Sequence, residues 1–260
     1  MKTSLLFGFL LLVLLGGIAC KSSSSNSEEK GGGGLVAGSA SKGGCYNAYF
    51  PATETMKKTY KTVFANNTMP PSTYTESAAN LTKDGFQHRM TFAPSDTKNG
   101  QTLTVEGGVK CAPEGLMVME YGNLAMGQNT KFKFKTIKAD GVTFPNESDW
   151  TVGRKWAMTY EVQGEVTGAP NPAMNMAPRG AIAMDSEIVG SESVTVPAGT
   201  FQTFKVVMVM NQKLNLQMNG RDIPMNNNFK TTAWFAKGVG MVKSQTELVG
   251  ATTELVSLTK

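Results

Sequence analysis

An all-β fold is predicted for this 260-residue chain: a single antiparallel, strongly curved or open-barrel-like β-domain behind a signal peptide and a flexible linker. Three observations predict it. Apolar and polar residues alternate at period two in segment after segment, as half-buried strands require. Glycine-containing pairs of the kind that hairpins use fall between those segments. No window combines helical periodicity with an N-cap.

The strand candidates, in chain order, are KTYKTVF (58–64), FQHRMTFA (86–93), QTLTVEGG (101–108), LMVMEYG (116–122) and KFKFKTI (131–137). They continue with KWAMTYEVQGEV (155–166), AIAMDSEIVGSESVTV (181–196), TFQTFKVVMVM (200–210), KLNLQM (213–218), FKTTAWF (229–235), GMVKSQTEL (240–248) and TTELVSL (252–258). In KFKFKTI the alternation sets Phe132 and Phe134 on one face and Lys131, Lys133 and Lys135 on the other. FKVVMVM is apolar on both faces, so its strand is expected to be central and covered on both sides. Asp84-Gly85, Asn99-Gly100, Asp140-Gly141 and Asn219-Gly220 are the expected hairpin pairs, because both residue types tolerate positive φ. Pro197-Ala-Gly-Thr and Lys237-Gly-Val-Gly240 read as tight reversals. The segment GAPNPAMNMAPRG (168–180) reads as a long loop. A faint internal echo links MKKTYKTV to KWAMTYEV.

Residues 1–19 carry a single charge, Lys2, ahead of an apolar run from Leu5 to Leu15 and small residues before Cys20, the layout of a secretory signal peptide. That run is too short for a membrane span, which needs ~20 apolar residues. Gly17 and Ala19 suit ordinary small-residue cleavage. Gly-Ile-Ala-Cys also resembles the lipobox of bacterial lipoproteins, with Gly17 where that pattern favours Leu. The resemblance implies lipid on Cys20, and Lys21, where an inner-membrane protein tends to carry Asp, implies the outer membrane. Residues 20–44, dominated by serine and glycine, form a tether with a root-mean-square reach of about 27 Å. Two or three acyl chains would hold such a protein on a bilayer essentially permanently.

Lipid on Cys20 would leave Cys45 and Cys111 as a pair. A disulfide between them closes a loop of about 67 residues and contributes about 4 kcal/mol on the chain-entropy model. The alternative is two unpaired thiols acting as small hydrophobes. The formal charge of +5 is spread among interspersed lysines and acids, which excludes the clustered basic face of a nucleic-acid reader.

Chemistry-bearing residues are sparse. His88 is the one histidine, and alternation places it on a face with Phe86, Met90 and Phe92, a structural position. A histidine-built metal site is thereby excluded, and a Cys–His nucleophile could use only His88 with Cys45 or Cys111. No GxSxG elbow, HExxH or Walker loop is present. No catalytic residue, metal ligand or cofactor is expected. Asp140, Glu147, Asp149, Glu161, Glu165, Asp185 and Glu187 could supply a hydrolytic carboxylate pair only if two converge; scattered on strands they read as solvated. Sixteen methionines are in excess, among them Met117, Met119, Met174, Met176, Met208, Met210 and Met241. They read as pliable core filling, as a two-residue Cu(I) fragment at Met174 and Met176, or as the lining of an apolar concavity. Asn66, Asn80 and Asn146 open glycosylation triplets, relevant only in a eukaryotic source.

Five phrases taken together, CYNAYFP (45–51), VKCAPEGL (109–116), WTVGRKWAMTYEV (150–162), VTVPAGTFQTFKV (194–206) and WFAKGVGMVKSQ (234–245), resemble bacterial envelope lipoproteins labelled TapB-like or as domains of unknown function. The resemblance implies a β-rich periplasmic domain over residues 45–260 and transfers no catalytic residue. The expected function is a lipid-anchored, non-catalytic binding or interaction module, possible partners being an apolar ligand or an envelope protein. A structural or assembly component of the envelope and a carboxylate-based hydrolase are the alternatives.

Overall fold

The structure, a computed structural model, describes residues 45–65, 70–93, 103–118, 123–126, 130–167, 176–218 and 221–260. The signal peptide, Cys20 and the linker lie outside the described residues, as do Asn66, Met119, Met174 and the turn pairs Asn99-Gly100 and Asn219-Gly220. The strands in chain order are β1 (Lys57–Phe64), β2 (Ser72–Ala79), β3 (Gly85–Phe92), β4 (Leu103–Ala112), β5 (Gly115–Val118), β6 (Asn123–Met126) and β7 (Thr130–Gly141). They continue as β8 (Phe144–Pro145), β9 (Lys155–Thr167), β10 (Met176–Val196), β11 (Gly199–Met218), β12 (Arg221–Ala236), β13 (Gly240–Thr246) and β14 (Ala251–Thr259). A 3-10 turn, Glu147–Asp149, lies between β8 and β9.

All fourteen strands belong to one antiparallel sheet, ordered β3-β2-β1-β14-β13-β12-β11-β10-β9-β7-β6-β4-β5-β8, and β3 also pairs with β4. The chain therefore curls until its first strands meet its middle ones. Between β4 and β6 the described pairs are Val105↔Leu124 and Glu106↔Asn123, and through them the curl is barrel-like. A curl of this many strands encloses more space than its own side chains fill.

The back wall is a hairpin of unusual length. β10 and β11 pair from Met176↔Met218 to Val196↔Gly199 around the Pro197-Ala198 reversal, with a bulge between Ile188 and Gly190. β11 absorbs both TFQTFKVVMVM and KLNLQM, and β12 begins eight residues before FKTTAWF. The polar break at Asn211 does not end the strand, because Asn211 lies opposite Asn228 and accepts a hydrogen bond from its side-chain amide at 2.7 Å. Val206, Met208 and Met210 point into the core, whereas Val207 and Val209 on the other face are half-buried, so the expectation of cover on both sides holds for one side only. Asp140-Gly141 closes β7 instead of making a two-residue hairpin: Gly141 has φ +82 and lies so close to the Ala157 carbonyl that no side chain could stand there.

The core has two main parts. One joins Met158, Tyr160, Ile182, Met184, Ile188, Val206, Met208 and Phe235 to Ala48, Tyr49 and Trp150; the other gathers Tyr60, Tyr74, Met90, Phe92, Val242 and Leu255. The segment before β1 is a strap packed on this sheet. Tyr49 stacks on Trp150 at 4.0 Å, the Asn47 amide donates to the Pro145 carbonyl, and the Gly238 N–H donates to the Ala48 carbonyl. Cys45, at the start of the strap, is joined by a disulfide to Cys111 on β4, with Cα atoms 5.7 Å apart.

Candidate functional site: a cavity with one charged wall

Strand periodicity decides which side chains face the inside of the curl. On β1 the inward set is Lys58, Tyr60, Thr62 and Phe64; on β2 it is Ser72, Tyr74 and Glu76; on β3 it is Phe86, His88, Met90 and Phe92. Register then fixes the neighbours. Lys58 stands opposite Glu76, Tyr60 opposite Tyr74, and Glu76 opposite Met90. His88 faces Ala78 on one side and Gly107 on the other, one diagonal step from Glu76.

Between this wall and the β10–β13 wall lies a cavity of about 140 Å³. Met184, Met208, Met210, Phe235 and Met241 form one side; Tyr74, Met90 and Val105 form the other, and Phe50 from the strap and Phe144 complete the apolar surface. Its polar groups are few: Glu76, His88, Thr143, Thr231 and Ser244. Of the methionines singled out in the sequence, Met208, Met210 and Met241 line this space, and Met117 packs against the core nearby.

The charged wall is compact. Glu76 is 8% exposed and Lys58 4%. Lys58 Nζ lies 3.3 Å from Glu76 Oε2, and His88 Nε2 donates to Glu76 Oε1 at 2.5 Å. The Lys58 ammonium also sits over the Phe50 ring, 5.6 Å from its centroid, and the φ of +91 at Gly240 brings bare backbone up to the ammonium, where a Cβ would lie 3.3 Å from Nζ. Burial pushes the Glu76 carboxyl up, but Lys58 and His88 more than reverse that and hold it below the usual carboxylate range. Burial first, and then the Glu76 charge, push the phenols of Tyr60 and Tyr74 up, so both stay neutral. Tyr60 donates its hydroxyl to the Met241 carbonyl at 2.8 Å.

His88 thus occupies the inward, aromatic-flanked position that alternation predicts. Glu76, the carboxylate the cavity does contain, is the residue that sequence reasoning missed; STYTESAA places it on the same face as Tyr74, and that alternation was the available signal. The acids considered for hydrolysis stand elsewhere. Glu147 pairs with Lys237, Asp149 with Arg154 and Glu187 with Lys155. Asp140, Glu161, Glu165 and Asp185 are exposed. Asp185 and Glu187 border a shallow groove with Lys155, Trp156, Val207 and Val209.

A family model described as DUF3108-like matches residues 57–258. No curated protein matches the chain. Among solved structures, the chain is similar to a candidate exported protein with YmcC-like fold from Bacteroides fragilis, at 16% identity and TM-score 0.46, covering 82% of this chain and 100% of that one. It is also similar to a candidate lipoprotein from Parabacteroides distasonis, at 16% identity and TM-score 0.44, covering 82% of this chain and 99% of that one.

Proposed function

The chain belongs to the DUF3108-like family, whose match runs from the first residue of β1 into β14, and on that premise we propose that it is a lipid-anchored envelope protein whose curled sheet is a non-catalytic binding module for an apolar ligand. The observation that carries the reading is the cavity. A cavity of about 140 Å³, walled by methionine and aromatic side chains and touched by few polar groups, is what a site for a small apolar body needs. A comparable engineered void holds benzene or xenon, so the occupant is of that size, or is the apolar end of something larger. Methionine suits the role because its unbranched thioether repacks around different shapes. The anchor rests on the Gly-Ile-Ala-Cys pattern at Cys20 and the serine and glycine tract behind it, and Lys21 favours the outer membrane.

The test is direct. Toluene and xenon titrated into the purified protein should shift the methyl resonances of Met208, Met210 and Met241 in a saturable way. An unchanged spectrum at saturating toluene would remove the reading. The intact mass of protein extracted from its own membrane checks the anchor: the expected chain begins at Cys20 and carries acyl mass.

A further inference from the structure

This inference rests on the apolar-ligand reading and sharpens it. We propose that the cavity selects a small amphiphile bearing one anionic group, a carboxylate in the simplest case, and that His88 takes up one proton from solvent as that group binds.

The charges on the polar wall decide which ligand it accepts. Among the described residues three ionisable side chains meet there, Lys58, Glu76 and His88, and Tyr74 stays neutral beside them. The elements packed around His88 bring few charges to it. β2 contributes Glu76 and Tyr74, with Ala78 directly opposite; β4 contributes Gly107; β1 contributes Lys58; the strap contributes the Phe50 ring at 5.4 Å. Arg89 and Glu106 pair with each other, and neither lines the cavity.

With Lys58 charged, Glu76 ionised and the imidazole neutral, the wall sums to zero. With the imidazole protonated it sums to one positive charge. It has no accessible state of net negative charge, since Lys58 and His88 hold Glu76 ionised and already satisfy both its oxygens. A cationic ligand would therefore bring an unpaired charge into an apolar space, which is strongly unfavourable. An anion does not, provided that the wall changes state to meet it. Imidazole is the side chain that changes charge between pH 5 and 8.

Hydrogen bonding points the same way. Because ionised Glu76 only accepts, His88 Nε2 carries the hydrogen between them, which leaves Nδ1 as the acceptor of a neutral ring. Nδ1 has no hydrogen-bond partner among the described residues. A carboxylate has no proton to offer it. Protonation turns Nδ1 into a donor and supplies the compensating charge in the same step. Gly107 opposite His88, with no side chain, keeps the space beside the ring open for a headgroup.

Hexanoate, 1-hexanol and hexylamine share one apolar body and differ in charge. Calorimetry on the purified full chain at about pH 6 and about pH 8, in buffers of different ionisation heat, separates affinity from proton uptake. The expected order is hexanoate above hexanol above hexylamine at the lower pH. At that pH hexanoate should bind about tenfold or more tighter than hexylamine; its proton uptake should grow towards one and its affinity should fall as pH rises, while hexanol shows neither effect. His88→Gln keeps a donor for Glu76 but cannot titrate. It should abolish the proton uptake and the pH dependence while hexanol binding persists. Hexylamine binding as tightly as hexanoate, or hexanoate binding with no proton uptake, overturns this inference and leaves the apolar reading standing. Failure of all three to bind overturns both.

Discussion

Glu76 holds Lys58 and His88 at once, and its removal would strand the buried lysine. Lys58 sits deep in the curl, its ammonium served by the Glu76 carboxylate and the face of Phe50. Breaking a buried pair from one side costs about 3–5 kcal/mol, because the remaining charge is left without compensation. Glu76→Gln is therefore expected to lower stability by that amount near neutral pH. The pH dependence has a definite sign. The folded carboxyl is held below its ordinary value of 4.5, so its contribution is present above that value and is lost as pH falls through the folded pKa. Urea unfolding of wild type and variant over a pH series should show the gap narrowing below about pH 4.5; a gap that stays constant into acid would mean that Glu76 does not act through its charge. One of the three residues of this wall was legible in the sequence. The alternation in FQHRMTF puts His88 beside Phe86, Met90 and Phe92, and the structure agrees. Its two partners were not legible, because charge-charge contact depends on which strands become neighbours and in what register.

Elements show the same division between local pattern and long-range pairing. β10, β13 and β14 carry alternation strong enough to be read directly, as does the Lys237-to-Gly240 reversal between β12 and β13. β2 went unread because STYTESAA has one large apolar residue, Tyr74, among small and polar ones, and follows two prolines. It forms because β1 and β3 satisfy its backbone on both edges, a context no local window contains. The strap was equally hidden, since CYNAYFP has no period. Its anchors are long-range: Tyr49 on Trp150, Asn47 on Pro145, and the disulfide from Cys45 to Cys111. Thiol parity, once Cys20 is assigned to lipid, anticipates that pairing without locating it. A separation of 66 residues makes the link worth about 4 kcal/mol through the unfolded chain. Replacing both cysteines with serine should lower the unfolding free energy by about that much, and dithiothreitol should do the same to wild type but nothing further to the double variant. Mass spectrometry after alkylation without reductant should find neither thiol modified. Because Phe50 of the strap lines the cavity, the double variant should also bind toluene more weakly than wild type.

At the scale of the molecule, the curl trades stability for enclosed space. At roughly 24 cal/mol per Å³, filling a cavity of about 140 Å³ with side chains would be worth at most about 3 kcal/mol. A fold with fourteen strands and sixteen methionines has the means to close such a gap, yet five of those methionines stand around it and leave it open. Departures from tight packing of this kind concentrate where a protein binds something. The all-β class was legible from periodicity and turn pairs, and an apolar concavity was one of three readings of the methionine excess. Its location was not, because it depends on how far the sheet curls before β3 meets β4. Ser244 offers the decisive substitution. It is 2% exposed, it lines the cavity, and its hydroxyl has no hydrogen-bond partner among the described residues, so a leucine there fills space without orphaning a donor. If the space is a binding site that the fold maintains at the expense of packing, Ser244→Leu should raise the unfolding free energy by about 1 kcal/mol and the melting temperature by a few degrees. The same change should abolish the response to toluene. A variant that gains stability and still binds toluene with wild-type affinity would place the binding site elsewhere. A variant that loses stability would show that the side chains around Ser244 were already at native density.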